Sequence, residues 1–109
     1  MQELIIGVVG LIPGAGNIFP TLCAQVQVLY EENKLQEAIA LQKKLVEADD
    51  ALCRWHGIPG IKSFIQKKLG YGNGVSRNPL QKVSQVNAAA IEEAVDAAWL
   101  LEQKYRSSK

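Results

Sequence analysis

The chain has 109 residues, a formal net charge of +1 and 48% hydrophobic residues, which allows at most one domain with a modest core. Acidic and basic residues are interspersed, without the basic stripe and interleaved aromatic side chains of nucleic-acid-binding proteins, so nucleic acid is not an expected partner. One histidine and two cysteines leave no clustered set of metal ligands, so neither a metal nor another cofactor is expected.

The N-terminal stretch of the chain is apolar and short. Residues 4–13 are nearly all apolar, but a membrane-spanning helix needs about 20 such residues. A signal peptide is not expected either, because Glu3 is acidic and the first basic residue is Lys34. Residues 4–9 are rich in β-branched side chains and predict a strand buried on both faces, as in a parallel sheet. Glycine and proline make residues 10–17 a loop of tight turns.

Four helices are predicted after this loop. Pro20 begins the first helix, because its missing N–H would have no partner in a first turn, and residues 31–33 end it. Periodic apolar residues predict the second helix from Leu35 to about His56. Gly57 supplies the stop after it.

The third and fourth helices are separated by a glycine-rich segment. The third is short and covers residues 60–69, and glycines within residues 70–74 form a flexible exit from it. The fourth helix is predicted to run from Ser84 or Val86 to about Arg106. The residues expected on its buried stripe are Ile91, Ala94, Ala98, Leu101 and Tyr105.

One strand followed by four helices is an incomplete architecture. A parallel-type strand needs partners for the backbone groups on both of its edges, and nothing later in the chain reads as a second strand. Unpaired strand edges and apolar helix faces of this kind predict association or aggregation of the isolated chain.

Several familiar catalytic patterns do not occur. The loop after the strand lacks the lysine that follows the last glycine of a Walker motif, and a dinucleotide fingerprint would need a third glycine. The paired carboxylates at residues 31–32, 49–50 and 92–93 are expected on exposed helix surfaces. His56 is expected to cap a helix end rather than to act in catalysis.

The run between Gly57 and Gln81 is the most specific part of the sequence. It reads Gly-Ile-Pro-Gly-Ile-Lys, then a short amphipathic stretch and Gly-Tyr-Gly-Asn-Gly, and it ends in Arg-Asn-Pro-Leu-Gln. This run resembles the pyruvate-dependent class I aldolases of the dihydrodipicolinate synthase and N-acetylneuraminate lyase family. Within that family, it looks most similar to the 4-hydroxy-2-oxoglutarate aldolase branch.

The resemblance implies a fold for the chain. In this family a (β/α)8 TIM barrel is followed by a C-terminal helical subdomain of three helices. Residues 1–33 look like the last strand and helix of the barrel, an incomplete domain, and residues 34–109 look like the subdomain. The chain is therefore expected to be mostly α-helical as it stands, with one strand.

The resemblance also implies which residues lie near the chemistry. Active sites of such barrels lie at the C-terminal ends of the strands, and only one such end is expected here. By the family pattern, Ile12 packs against bound pyruvate, Pro13 and Gly14 line the same mouth, and Asn17 matches a family asparagine. The Schiff-base lysine, the relay tyrosine and the carboxylate-binding segment of the family have no counterpart in this chain.

No catalytic residue is therefore expected in the chain. A Schiff-base lysine must be desolvated so that its pKa falls and its amine is neutral. The lysines of this sequence fall outside the predicted strand, and most fall on helix exteriors. Whether the chain itself is an enzyme stays open, and it is expected to be inactive alone.

The implied function is that of the C-terminal part of an aldolase. The parent reaction is retro-aldol cleavage of a 4-hydroxy-2-oxo acid or a deoxy sugar acid to pyruvate and an aldehyde, with dihydrodipicolinate-type condensation as an alternative. A different class of function is an independent helical interaction module without catalysis. A gene-model fragment without a separate role is the third possibility.

Partners and location follow from the same resemblance. The full-length parent is expected to bind a small 2-oxo acid and to form a homo-oligomer, without a membrane partner. Cys23 and Cys53 occupy apolar helix positions, which is typical of buried thiols in a reducing compartment. An intracellular location, cytoplasmic or mitochondrial, is expected.

Overall fold

The structure is a computed structural model that describes residues 2–54 and 56–108. The described residues are helical or irregular, as expected of a mostly α-helical chain, and they contain no strand. In chain order, the helical elements of the described residues are α1 Gln2–Ile5, a 3-10 turn Gly14–Asn17, α2 Pro20–Glu31, α3 Leu35–Asp49, a π-helical segment Asp50–Arg54, α4 Gly57–Leu69 and α5 Gln85–Ser107.

The strand predicted at residues 4–9 is wrong for this chain. Helix α1 ends at Ile5, and residues 8–13 have no regular structure. Local bonds replace strand pairing, since Ile6 N–H donates to Gln2 at 3.3 Å and Val8 N–H donates to Glu3 at 3.0 Å. A strand needs a neighbouring strand for these groups, and the described part of the chain offers none.

Helix α2 begins and ends as the sequence predicts. Pro20 occupies its first turn, and its inward side chains are Leu22, Val26 and Leu29. After the helix the chain turns through Asn33, whose φ is 61°.

The second predicted helix is α-helical only as far as Asp49. It continues as the π-helical segment Asp50–Arg54, and the predicted continuation at Trp55 lies outside the described residues. Gly57 has a φ of +55°, outside the right-handed helical region, so the chain changes direction at this glycine before α4 continues, as the sequence predicted.

Helix α4 begins at Gly57, three residues earlier than the sequence reasoning placed it. Pro59 lies in its first turn, where a missing N–H costs no helical bond. At the other end Gly70 adopts the left-handed conformation with φ of 76°. Its N–H donates to the Gln66 carbonyl at 3.2 Å, which makes it the glycine exit that the sequence predicts.

The buried stripe of α5 differs from the predicted one. Ile91 and Ala98 are buried as predicted, but Ala94 is exposed and Leu101 is half-buried. The other buried residues of the helix are Val95 and Glu102. The predicted stripe contains only apolar and aromatic residues, so it does not include the buried Glu102.

The chain divides into two compact units. The first contains Met1–Val46 and Ala98–Lys109, and the second contains Glu47–Ala97. The buried apolar residues of the first unit are Ala15, Ile18, Phe19, Leu22, Val26, Leu29, Ala38, Leu41, Leu45 and Ala98. Those of the second are Ala48, Leu52, Phe64, Ile91 and Val95. The assignment of residues 1–33 to the last unit of a barrel and of residues 34–109 to a helical subdomain stays a prediction.

Candidate functional site

The candidate loop is residues 10–17, the segment that the resemblance places nearest the chemistry. Pro13 is extended, with φ of −76° and ψ of 137°, and the 3-10 turn Gly14–Asn17 follows it. The N–H of Gly16 donates to the Pro13 carbonyl at 3.0 Å. A β-carbon on Gly16 would lie 3.3 Å from Cγ of Pro13, so this turn leaves little room for a side chain.

One side of the candidate loop is exposed and the other is anchored. Ile12, Pro13 and Gly14 are all exposed, and the side chain of Ile12 is as accessible as in an extended chain, at 103%. Ala15 and Phe19 are buried at 7% and 0% exposure. Residues 12–14 thus form an exposed tip, and the buried residues Ala15 and Phe19 anchor the segment behind it. Exposed loop residues held by a buried anchor are suited to contact a ligand.

Asn17 fixes the inside of the turn. Its side-chain amide donates to the carbonyl of Gly14 at 3.0 Å. The asparagine that matches the family pattern therefore closes the turn locally, through the backbone of Gly14. This contact gives Asn17 a structural role next to the residues expected to bind substrate.

A buried carboxylate holds the helix that follows the loop. Glu102 of α5 has 0% exposure, and its oxygens accept the N–H groups of Thr21 at 3.0 Å and Leu22 at 2.9 Å. The Arg106 guanidinium lies 3.7 Å from one of these oxygens. Negative charge at a helix N-terminus is favourable, so Glu102 caps α2 from 80 residues away along the chain.

Sequence reasoning missed Glu102, although a signal was present. The buried positions of α5 are Ile91, Val95, Ala98 and Glu102, which recur at alternating steps of four and three. A glutamate in register with an apolar stripe is unusual, because buried carboxylates need partners. Phe19, the N-cap residue of α2, makes no side-chain capping bond. A glutamate on the buried stripe of α5 and an uncapped start of α2 together indicate that the glutamate caps α2.

The described lysines lack the environment of a Schiff-base lysine. Lys68 is half-buried on α4, and the others are exposed. Glu32 raises the pKa of Lys34, and Glu92 raises the pKa of Lys68, in both cases chiefly through a hydrogen bond. Covalent chemistry with a carbonyl needs the opposite shift. The lysines described are Lys34, Lys43, Lys44, Lys62, Lys67, Lys68, Lys82 and Lys104.

Of the paired carboxylates predicted to be exposed, those at positions 31, 32 and 93 are exposed, whereas those at positions 49, 50 and 92 are half-buried. Glu92 is half-buried, and both Lys67 and Lys68 form ion pairs with it, the latter at 2.8 Å. Its neighbour Glu93 is exposed, as predicted. Within residues 2–54 and 56–108, no group of three or more histidine, cysteine, aspartate or glutamate side chains is arranged to hold a metal ion.

The cysteines and the histidine lie on or beside helices. Cys23 is half-buried on α2, whereas the side chain of Cys53 lies outside the described part of the chain. His56 precedes α4, and its side chain makes no capping hydrogen bond. No helix among the described residues combines the length and apolar character needed to cross a membrane.

Comparison with known proteins identifies relatives over most of the chain. It is 39% identical over 103 residues to L-threo-3-deoxy-hexylosonate aldolase of Hypocrea jecorina, covering 94% of this chain and 32% of the relative. It is 34% identical over 111 residues to a probable mitochondrial 4-hydroxy-2-oxoglutarate aldolase of Emericella nidulans, covering 98% and 34%. It is 31% identical over 98 residues to 4-hydroxy-tetrahydrodipicolinate synthase of Acidiphilium cryptum, covering 90% and 33%.

The chain spans about a third of the length of these relatives. No family model matches it, and no solved structure matches it significantly. The relatives nevertheless agree with one another, because all three names belong to one group of aldolases and synthases. Over the length that it spans, the chain is similar to members of the dihydrodipicolinate synthase and N-acetylneuraminate lyase family, at 30–39% identity.

Proposed function

We propose that the chain is the C-terminal part of a class I aldolase that cleaves a 4-hydroxy-2-oxo acid, with 3-deoxy sugar acids as the favoured substrates. The observation that carries the proposal is the similarity over 94% of the chain to an aldolase named for such a deoxy sugar acid. A second relative with that name, from Aspergillus niger, is 36% identical over 103 residues. Cleavage breaks the bond between C3 and C4, leaving pyruvate and an aldehyde.

The candidate loop supports a binding role within that reaction. Pyruvate carries an apolar methyl group beside its polar oxo acid, and Ile12 offers an exposed apolar side chain for contact. Pro13 and Gly14 continue the same exposed tip. We therefore assign Ile12, Pro13 and Gly14 to substrate binding and assign no catalytic residue to this chain.

The amine that attacks the oxo group is proposed to come from outside this chain. The described lysines are exposed or half-buried, and the two with a shifted pKa have it raised. Neutral amine is scarce in such settings near neutral pH. The chain alone is accordingly proposed to be inactive, and residues 1–33 are proposed to complete a barrel whose other strands supply the lysine.

The other properties of the parent protein follow from the family. A small 2-oxo acid is the proposed substrate, and a homo-oligomer is the proposed assembly. The compartment is proposed to be intracellular, either cytoplasmic or mitochondrial, and the mitochondrial option is supported by the name of one relative. Dihydrodipicolinate-type condensation is the alternative reaction, and the name of the bacterial relative supports it.

An independent helical interaction module is less well supported. Such a module would pack its N-terminal apolar segment into the helices. Residues 2–5 are helical, but Ile5, Ile6 and Val9 are exposed at 59%, 79% and 99%. In the proposed barrel, neighbouring segments would cover these side chains, whereas an independent module would need a partner to cover them.

The proposal is tested with a chimaera. The segment of the Hypocrea jecorina aldolase that matches this chain is replaced by the whole chain, and the chimaera is incubated with labelled pyruvate and borohydride. We expect a covalent adduct on the part from the relative, together with release of pyruvate from the deoxy sugar acid. The matched control is the 109-residue chain alone, which should give no adduct.

Three results bear on different parts of the proposal. An adduct on the isolated chain would contradict its assignment as non-catalytic. A folded chimaera that traps no pyruvate would contradict the assignment of the chain to this enzyme class. Trapping without cleavage of the deoxy sugar acid would keep the class and reject the substrate, and 4-hydroxy-2-oxoglutarate would then be tested as the second substrate.

A further inference from the structure

We infer that Glu102 is a positioning residue that sets the geometry of the candidate loop through the first turn of α2. Its control of the loop is independent of the proposed function. The consequence for substrate binding rests on that function. Glu102 and residues 10–31 both belong to the first compact unit, so the contacts that link them lie within one body.

The first turn of α2 needs a cap from elsewhere in the chain. Pro20 has no N–H, and the N-cap residue Phe19 makes no side-chain capping bond. The N–H groups of Thr21 and Leu22 are therefore left to Glu102, which accepts them at 3.0 and 2.9 Å. Orphan donors of a first turn that are buried without a partner destabilise the helix end.

The capped turn is connected to the loop by consecutive hydrogen bonds. Cys23 N–H donates to the Phe19 carbonyl at 3.0 Å, and Phe19 N–H donates to Ala15 at 2.8 Å. Gly16 N–H then reaches the Pro13 carbonyl at 3.0 Å. We therefore expect a displacement of the first turn of α2 to reach Pro13, which is part of the exposed tip.

The contact needs a carboxylate of this length. Two N–H groups converge on Glu102, and each of its two oxygens accepts one of them. Glutamine offers one acceptor and turns an NH2 group towards the other donor, whereas aspartate is one methylene shorter. Ala98, one turn before Glu102, is buried in the same compact unit, which anchors this part of α5.

The first test measures the 109-residue chain by NMR, comparing wild type with Glu102→Gln, Glu102→Asp and Val26→Ala. In Glu102→Gln we expect amide exchange at Thr21 and Leu22 to accelerate by about tenfold or more, as loss of a charge-assisted bond predicts. We also expect the backbone signals of Ile12 and Gly14 to shift. Glu102→Asp, which keeps both acceptor oxygens on a shorter side chain, should shift the same signals by a smaller amount.

The matched control separates positioning from general stability. Val26 is buried on α2 in the same unit, and Val26→Ala should lower the melting temperature without moving the signals of Ile12 and Gly14. If Glu102→Gln lowers the melting temperature but leaves those signals unmoved, the positioning role is overturned. Glu102→Asp supplies the same comparison if the glutamine variant does not fold.

The second test uses the chimaera described above and separates the inference from the proposed function. Glu102→Gln in the chimaera should raise KM by about tenfold with kcat little changed, as expected when uniform binding of the substrate is weakened. An active chimaera whose KM is unaffected by Glu102→Gln overturns the binding consequence and keeps the proposed function. An inactive parent chimaera rejects the function, and the NMR comparison still decides the control of the loop.

Discussion

Gly60 of α4 approaches Leu52 so closely that a β-carbon at Gly60 would lie 2.6 Å from the Leu52 carbonyl oxygen. The same carbon would lie 2.8 Å from Cβ of His56. Both contacts involve atoms that a side-chain rotation cannot move. The π-helical segment and the first turn of α4 are thus in backbone contact within the second compact unit.

Gly60→Ala should therefore destabilise the protein by about 1–3 kcal/mol, the usual cost of forcing an extra group into a packed site. Urea unfolding followed by circular dichroism measures the change. Gly10→Ala is the matched control, since nothing lies within 4 Å of its added carbon, and it should change stability by less than about 0.5 kcal/mol. Equal stability of the two variants would contradict the close approach.

The register of α5 gives a second prediction. Val95 is buried at 0% exposure, and Val95→Asp should cost several kcal/mol, because a buried carboxylate would lack a partner. Ala94 is exposed, so Ala94→Asp should cost less than about 1 kcal/mol, mainly through helix propensity. Thermal unfolding of the two variants distinguishes this register from the one expected from sequence, which buries Ala94.

The ion pairs of Glu92 predict a pH dependence of stability. Hydrogen bonds from Lys67 first and Lys68 second hold the pKa of Glu92 below its usual 4.5. A depressed folded-state pKa stabilises the protein above the unfolded value, and the gain disappears as pH falls through the folded value. Wild type should therefore exceed Glu92→Gln in stability at pH 7, and the difference should shrink below about pH 4.

The lysine partner extends this test to alkaline pH. Glu92 raises the pKa of Lys68, so the contribution of Lys68 is present below its unfolded value of 10.5 and is lost as pH rises through the folded value. Glu93→Gln is the control, because Glu93 is exposed on the same helix. A pH-independent difference between wild type and Glu92→Gln would rule out the ion pairs as its cause.

The exposed tip of the candidate loop gives the fourth prediction. Ile12→Asp should leave the stability of the isolated chain within about 0.5 kcal/mol of wild type, because the side chain buries nothing. In the chimaera it should reduce pyruvate trapping by about tenfold or more, since a carboxylate would repel the acid group of pyruvate. Val86→Asp, at another exposed position, should leave trapping unchanged. Loss of trapping in both variants would point to general damage.

Helix positions could be read from the sequence where local signals suffice. Pro20 marked the start of α2, and Gly70 marked the end of α4, because both residues restrict the backbone at a specific place. The strand at residues 4–9 was wrong, since strand pairing depends on partners that are not local. The π-helical segment Asp50–Arg54 carries the same apolar period as an α-helix, so periodicity alone did not reveal it.

The candidate site is known from the resemblance alone. The resemblance named Ile12, Pro13 and Gly14 as substrate-binding residues, which stays a prediction, and the structure shows that these residues are exposed. It did not name Glu102, which acts across 80 residues through backbone N–H groups. Glu102 contacts the backbone of Thr21 and Leu22, and almost any residue at these two positions could make that contact. The sequence at these positions therefore does not indicate the contact.

The capping of α2 by Glu102 has a consequence for truncation of the chain. Glu102 lies in the final two turns of α5, and Ser107 and Ser108 beyond it are exposed. A shortened chain that stops before Glu102 would keep all of α2 and still release its first turn. A truncation or tag at the C-terminus should therefore leave the residues up to Arg106 in place, because Glu102 is needed to cap α2 near the N-terminus.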